Sequence, residues 1–409
     1  MSEMRRESPY PMLAIADAQS VIMRSVTPLG IEEVDALNAE GRVLAADLHA
    51  PEPVPDVPKS AMDGYALRAA DGLAPRRVIG ELTAGNAPGQ YLGPGMAARI
   101  MTGAPMPAGA DAMIPVELTV ERDGMLTIQR DLAPGDYVHT VGQDLALGQL
   151  VLERGTPLGS AEIGLLATIG MTRVPVFRRP RVAVLATGDE VSEPHTTPPP
   201  GGVRDSNRYA LLAAAREAGC EAFSLGIARD DYATQRDAIL RGIDLADVVL
   251  TSGGVSMGTR DLIKPILAEL GTVHFGRVSF KPGKPTTFAT IGDKLVFGLP
   301  GYPVSSLVSF EVFVRPALRA LQGDARPERP RVQVALETPI KPSPDRPEYQ
   351  RITVRFRNGR LWAASTGAQS SSRLLSLRDA NGLLLVPAGT AVYPAGSELE
   401  ALLIGPVRV

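Results

Sequence analysis

The 409-residue sequence has a single cysteine, Cys220, and four histidines, His49, His139, His195 and His274, all far apart. One thiol excludes an intrachain disulfide, and so little sulfur and imidazole argues against a Cys/His zinc site. No run approaches 18 consecutive apolar residues, so no membrane-spanning helix is expected. The N-terminus, MSEMRRESPYPMLAIADA, has two arginines but neither the uninterrupted apolar stretch nor the cleavage site of a secretory signal. A cationic surplus is missing too. Forty-two Lys and Arg against 45 Asp and Glu leave a net charge of −3, which gives no electrostatic drive toward nucleic acid. These absences fit a multidomain cytoplasmic protein with neither a nucleic-acid nor a membrane partner, still able to hold a small polyanion in a local pocket.

Glycine (41) and proline (36) are abundant and cluster between short apolar runs, which predicts many tight turns and β-rich parts. Residues 11–25 carry apolar residues at helical spacing, and 32–45 read as a helical continuation up to Gly41. PEPVPDVP at 51–58 breaks that pattern, and short strands follow to about 147, with Asp123-Gly124 as a hairpin turn. Helix returns in 157–176, with Ser160 as N-cap and Gly170 as its stop. From 181, strands and helices alternate, the signature of a parallel sheet, until an amphipathic helix at 304–323. EPHTTPPPGG (193–202) reads as a mobile loop, and ARPERPRV as a linker into a strand-rich segment, 330–409.

Ligands of open α/β sheets bind beyond the carboxyl ends of the strands. Four unusual segments fall there: GDEV with Asp189 and Glu190, SGGVSMGTRD, KPGKP and LPGYPVSS. KPGKP (281–285) has the residues of a type II turn, with Pro282 second and Gly283 third, which brings Lys281 and Lys284 together. At about 7 Å and an effective dielectric of about 20 their charges repel by roughly 2 kcal/mol, a term that a bound oxyanion would reverse. Taken alone, the pair is most simply a solvated turn. TSGGVSMG (251–258) allows the N–H groups of Gly253 and Gly254 to face an anion, with Ser252 and Ser256 as further donors, although it is no Walker A loop. Asp261 either caps the next helix or ligates magnesium, and Asp205 of RDSNRY has the same two readings. Asp189 and Glu190 beside a phosphate-binding rim suit Mg2+, which takes one or two carboxylates and fills its other positions with water and phosphate. In the β-rich part an Asp-Gly turn accounts for Asp63 and Gly64, and Thr102 is the one hydroxyl of a Gly- and Pro-shaped loop.

The ordered series SAMDGYA, IMTGAPMPAGAD, GQDL, TGDEV, DSNRY, TSGGVSMG, FKPGKPTTFA, GLPGYPVSS and TGAQSSSRLLSL spans nearly the whole chain. It resembles the MoeA family of molybdopterin molybdenumtransferases, to which the gephyrin E domain and the plant Cnx E domain are similar. The resemblance implies an α/β and β multidomain subunit in an elongated homodimer. Its parts would be a noncontiguous helical domain (8–47 and 148–180), a small β domain (48–147), a MogA-like α/β molybdopterin-binding domain (181–325) and a C-terminal β-barrel (326–409). The implied reaction, in molybdenum cofactor biosynthesis, inserts molybdate into adenylated molybdopterin with Mg2+-dependent cleavage of the pyrophosphate bond, releasing AMP and molybdenum cofactor. Lys281, Lys284, Ser305, Arg346 and Ser371 match the molybdate-holding positions, with Pro300 and Pro303 among the cofactor-binding ones. Ser252, Gly253, Gly254 and Ser256 would cradle the pterin-side phosphate. Glu190, Asp261 and Asp144 would position Mg2+ or water, with Glu190 and Asp261 as the metal ligands. Asp63 and Thr102 would close the cleft from the partner subunit. Implied partners are a MogA-like adenylyltransferase and the enzymes that receive the cofactor.

Two residues depart from the family pattern. Tyr302 stands where the family has Asn, at a turn where a bulky side chain would resist positive φ, and Arg277 stands where Lys is common. The competing readings are a non-catalytic molybdopterin-binding scaffold and a molybdopterin adenylyltransferase.

Overall fold

Strands buried on both faces need near-continuous apolar runs, and Val182–Ala186, Val248–Leu250 and Leu295–Leu299 supply them. In the computed structural model, which describes residues 10–85, 89, 91–255 and 262–409, these runs lie side by side. The chain divides into two compact units: Met1–Ala45, Gly155–Leu158 and Val174–Val409 form one, Ala46–Arg154 and Gly159–Arg173 the other.

The first unit is centred on a six-stranded sheet. Glu221–Ala228, Arg181–Thr187, Val248–Ser252 and Lys294–Leu299 are neighbours in that order and parallel. Asn207–Glu217 and Tyr232–Leu245 are helices in the connections between them, as parallel pairing requires. Asp231 caps the second helix by accepting a bond from the Thr234 N–H at 2.8 Å. The sheet is not wholly parallel, however. Thr287–Ile291 runs antiparallel to Lys294–Leu299, because only Gly292 and Asp293 separate the paired Ile291 and Lys294, and a two-residue turn can only reverse the chain. Thr272–Phe275 pairs antiparallel with Thr287–Ile291 at the edge and so runs in the same direction as the four parallel strands.

The amphipathic helix expected at 304–323 is present with an irregular centre: Pro303–Ser309, a π-turn at Phe310–Val314, and Arg315–Leu321. Pro316 has no N–H to give the Val312 carbonyl one turn earlier, and the Gln19 amide bonds that carbonyl instead, at 3.1 Å. Ile31–Asp35 is a strand, not the helical continuation read from the sequence, and is followed by a single 3-10 turn at Ala36–Asn38. Tertiary pairing overrides a weak local preference there. The C-terminal strands Arg331–Leu336, Arg360–Ser365, Glu348–Arg357, Gly382–Val386 and Glu398–Leu403 close into a barrel. Closure leaves no edge unpaired, and Val334, Leu336, Ile352, Val354, Leu384 and Ala401 fill its interior.

The second unit holds its own six-stranded sheet, ordered Ala112–Pro115, Gly64–Leu67, Met96–Ile100, Arg76–Leu82, Met125–Ile128 and Thr119–Arg122. Asp123 and Gly124, at φ 48° and 75°, form the expected hairpin turn. Gly159, not Ser160, is the N-cap of the Ser160–Thr168 helix, its N–H donating to the Glu162 carboxylate at 2.9 Å. Gly64 opens the strand Gly64–Leu67 and has no positive φ. It is required for space: a Cβ there would lie 1.9 Å from the Ile114 carbonyl oxygen of the neighbouring strand. Gly64→Ala is therefore expected to destabilise the second unit by about 3 kcal/mol, as backbone overpacking does, read as a lower midpoint of chemical denaturation.

Candidate functional site

Thr187, Ser252 and Leu299 end three adjacent parallel strands, and the loops that follow are bonded to one another. Gly253 and Gly254 take φ of 96° and 66°. A Cβ on Gly253 would stand 2.8 Å from the Thr187 carbonyl oxygen, so only glycine permits this approach. The Gly253 N–H donates to the Leu299 carbonyl at 3.0 Å. It is therefore committed to the protein and does not face an anion as the sequence reading had it. The buried Ser252 hydroxyl accepts a bond from the Asn207 amide at 2.7 Å, and the same amide nitrogen donates to the Gly301 carbonyl at 2.7 Å. Asn207 thus ties SGG to LPGYP. Its Oδ1 is buried and has no partner among the described residues, which leaves an acceptor at the rim. Asn207 was not legible as a site residue from the sequence; its place at the start of a helix that follows a strand end is the signal that marks it.

Asp205 resolves as structural. It is buried, accepts a bond from the Arg208 N–H at 3.0 Å and pairs with the Arg208 guanidinium at 2.7 Å, while Arg208 also reaches Glu193 at 2.6 Å. Glu193 thereby pins one end of the 193–202 loop. The Glu190 side chain is exposed, and its carboxylate folds over Gly188, where both oxygens would lie 2.6 Å from an added Cβ. Ser256 and Asp261 lie outside the described residues, as does the whole of SMGTRD. Among the described residues no group of three His, Cys, Asp or Glu side chains stands in metal-binding proximity.

KPGKP is not the type II turn expected from its residues. The Lys281–Pro282 peptide is cis and Gly283 has φ 134°, far from the roughly 80° of such a turn. A Cβ on Gly283 would fall 2.3 Å from the Phe280 ring and 2.7 Å from Ser309 Oγ. Thr286 fastens the loop from inside, donating from its N–H and hydroxyl to the Gly283 carbonyl at 3.0 and 2.7 Å and bonding Ser309 Oγ at 2.9 Å. The barrel grips the same loop: the Lys281 N–H donates to the Pro347 carbonyl, and the Tyr349 N–H to the Lys281 carbonyl, at 2.9 and 2.7 Å.

Lys281 is not a free cation, since its ammonium stands 3.4 Å from the buried Glu348 carboxylate. Lys284 is half-buried, and its ammonium makes no ion pair among the described residues. Ser305 is buried in the Pro303–Ser309 helix, whose Val304 N–H donates to the Ser371 carbonyl at 3.1 Å. Arg346 bonds Asp345 at 3.0 Å. Pro300 is buried and Pro303 half-buried at the start of that helix. Lys281, Lys284, Ser305, Arg346 and Ser371 therefore sit on segments that hydrogen bonds join within one unit. Tyr302 has φ −76° and is 62% exposed, so the positive φ foreseen at that turn does not occur. Arg277 is half-buried in the chain leading to the loop.

Arg351 organises the segment bearing Ser371, and sequence reasoning missed it. It is fully buried, its Nε donates to Ser376 Oγ at 3.1 Å and its Nη2 to the Ser370 carbonyl at 3.2 Å. Gln369 accepts from the Arg351 N–H at 2.8 Å and donates to its carbonyl at 3.0 Å. Burial pushes the guanidinium down to about 10, with Glu348 opposing that shift, so it stays charged at neutral pH. Nη1 has no partner.

In the second unit Asp63 and Thr102 meet directly. One Asp63 oxygen accepts from both the Thr102 N–H and its hydroxyl, each at 2.7 Å. Asp144 is exposed, on a loop closed by its own N–H to the Val54 carbonyl, and bonds neither residue among the described contacts. The Thr102 N–H, and then its hydroxyl, hold the Asp63 carboxyl below the ordinary carboxylate range. A depressed folded-state value means that this contribution to stability is full above the unfolded value, near 3.9, and is lost as pH falls through the folded one. Thr102→Val should raise the Asp63 value toward the ordinary one, measured by NMR titration of its carboxyl, and should remove that acid-side loss of stability.

The chain is similar to known proteins over nearly all of its length. The profile of the MoeA N-terminal region (domains I and II) matches residues 13–170, that of a probable molybdopterin binding domain 183–320, and that of the MoeA C-terminal region (domain IV) 333–404. Molybdopterin molybdenumtransferase 2 of Mycobacterium tuberculosis is 36% identical across 95% of this chain and 99% of its own. A gephyrin of Dictyostelium discoideum is also 36% identical, across 99% of this chain, which spans 64% of that protein's length. Two crystal structures of MoeA proteins from Pyrococcus horikoshii superpose with TM-scores of 0.82 and 0.83 at 32% and 27% identity. They cover 97% and 96% of this chain, and each is matched over 100% of its own.

Proposed function

The chain belongs to the MoeA family, and we propose that it acts as a molybdopterin molybdenumtransferase whose oxyanion site is the Lys281, Lys284, Ser305, Arg346 and Ser371 set. The reaction inserts molybdate into adenylated molybdopterin and cleaves the pyrophosphate bond, yielding molybdenum cofactor and AMP. The observation that carries the reading is the joining of KPGKP, the Pro303–Ser309 helix and the Ser371 segment by hydrogen bonds in one unit. Cations and hydroxyls so gathered suit a tetrahedral dianion. Ser252, held by Asn207, and the Gly254 loop receive the pterin-side phosphate, and the unpartnered Asn207 Oδ1 accepts from a substrate N–H or O–H.

Glu190, exposed beyond a strand end, offers the oxygen donor that Mg2+ takes, with water and substrate phosphate supplying the rest. Mg2+ bound there would neutralise charge developing on the leaving AMP; the protein's own share is placement and fixed electrostatics. The protein works as a cytoplasmic homodimer in which the Asp63 and Thr102 pair of a second copy completes the site, taking substrate from a MogA-like adenylyltransferase and passing cofactor to molybdenum enzymes.

Incubating the purified protein with adenylated molybdopterin, Mg2+ and molybdate tests the reading: AMP release that depends on molybdate is expected, and a scaffold or an adenylyltransferase would give none. Lys284→Ala should raise the half-saturating molybdate concentration about ten- to hundredfold, the equivalent of one charge-assisted hydrogen bond, with the circular dichroism spectrum unchanged. Glu190→Gln should lose most AMP release while nucleotide-pterin binding, followed by fluorescence, persists; full activity in that variant would remove Glu190 from the reaction.

A further inference from the structure

Glu348 has no part in the reading above, yet it is the carboxylate against Lys281. Its side chain is 6% exposed where that of Lys281 is 46% exposed, at 3.4 Å between ammonium and carboxylate. The Gln350 amide donates to its other oxygen at 3.3 Å. Partners of this kind offset the desolvation of a carboxylate so buried. The two backbone bonds to Lys281 come from Pro347 and Tyr349, the residues on either side of Glu348. The backbone that carries the carboxylate is therefore tied to the backbone of the lysine.

We propose that Glu348 is the resident counter-anion of the Lys281 and Lys284 oxyanion site, holding Lys281 in place while the site is empty and setting how tightly an oxyanion is held. The inference rests on the lysine pair being that site. Glu348 acts through Lys281 and is a positioning residue. A lysine pair with no counter-anion would retain any abundant dianion, sulfate and phosphate included. A fixed negative charge beside it lowers the local potential, so that ligands exchange.

The electrostatic energy of a ligand is its charge multiplied by that potential, so a dianion feels Glu348 twice as strongly as a monoanion. Binding of molybdate and of the monoanion perrhenate to the full chain, by equilibrium dialysis at one pH and ionic strength, reads this scaling directly. In Glu348→Gln both should bind more tightly, and the fold-change for molybdate should be the square of that for perrhenate, for instance about a hundredfold against about tenfold. Glu348→Asp, which keeps the charge, should retain the wild-type ratio. Equal fold-changes for the two anions, or weaker binding of both, would show a purely structural role and overturn the proposal. Should Glu348→Gln fail to fold, Lys281→Met is compared with Lys281→Met/Glu348→Gln. Tighter molybdate binding in the double variant supports the proposal, and equal binding overturns it. Lys284→Ala separates the two layers: unchanged molybdate binding there refutes the anion site itself, whereas weakened binding with no charge scaling at position 348 removes Glu348 alone.

Discussion

Cations gathered at one place repel each other, and the α/β and barrel parts of the first unit are built around holding them there. Three of the four cations are anchored by the protein itself. Lys281 faces Glu348, Arg346 bonds Asp345, and Arg351 is enclosed by Ser370, Ser376 and Gln369. Among the described residues, Lys281 and Arg346 are ion-paired, whereas Arg351 has only neutral hydrogen-bond partners and Lys284 has no ion pair. The partners of Lys281, Arg346 and Arg351 all come from the domain that follows the α/β sheet in the chain.

That dependence explains why the site needs the barrel. The strand Glu348–Arg357 supplies Glu348 and Gln350 from one face and Arg351 from the other, and its N-terminal end is zipped to KPGKP by two backbone bonds. The segment with Ser371 returns to the N-terminal end of the Pro303–Ser309 helix. Glycines at 253 and 283 allow the close approaches, each because a Cβ would collide with a neighbouring residue's backbone or ring. Asn207 joins the Ser252 loop to the turn before the helix, which ties together the two loops that the proposal assigns to substrate.

Much of this was legible in the sequence. Apolar runs followed by Gly, Ser and Lys at strand ends located the rim, and the Asp123-Gly124 hairpin and the strand-rich C-terminal segment are where the residues put them. The antiparallel edge was missed because the two-residue turn at Gly292 and Asp293 was not weighed, and Ile31–Asp35 because a short polar segment reads as helix until a distant strand pairs with it. The partners of the site were the least visible. Glu348 and Arg351 lie 67 and more residues from Lys281, and only barrel closure brings them near. The commitment of the Gly253 N–H to Leu299 depends on which strand lies next to which, information that no local motif holds. Tyr302 shows the reverse error: a departure from a motif was expected to strain a turn, and the backbone there is simply extended.

The central claim is that an oxyanion sits between Lys281 and Lys284. Tungstate is a tetrahedral dianion of the same charge as molybdate, and its tungsten scatters anomalously, so a crystal soaked in it locates the site without reference to activity. An anomalous peak with its oxygens about 2.7–3.0 Å from both lysine ammonium groups, and with Ser305 or Ser371 at its edge, is the predicted result. A peak elsewhere in the chain, with Lys281 still facing only Glu348, would contradict the account.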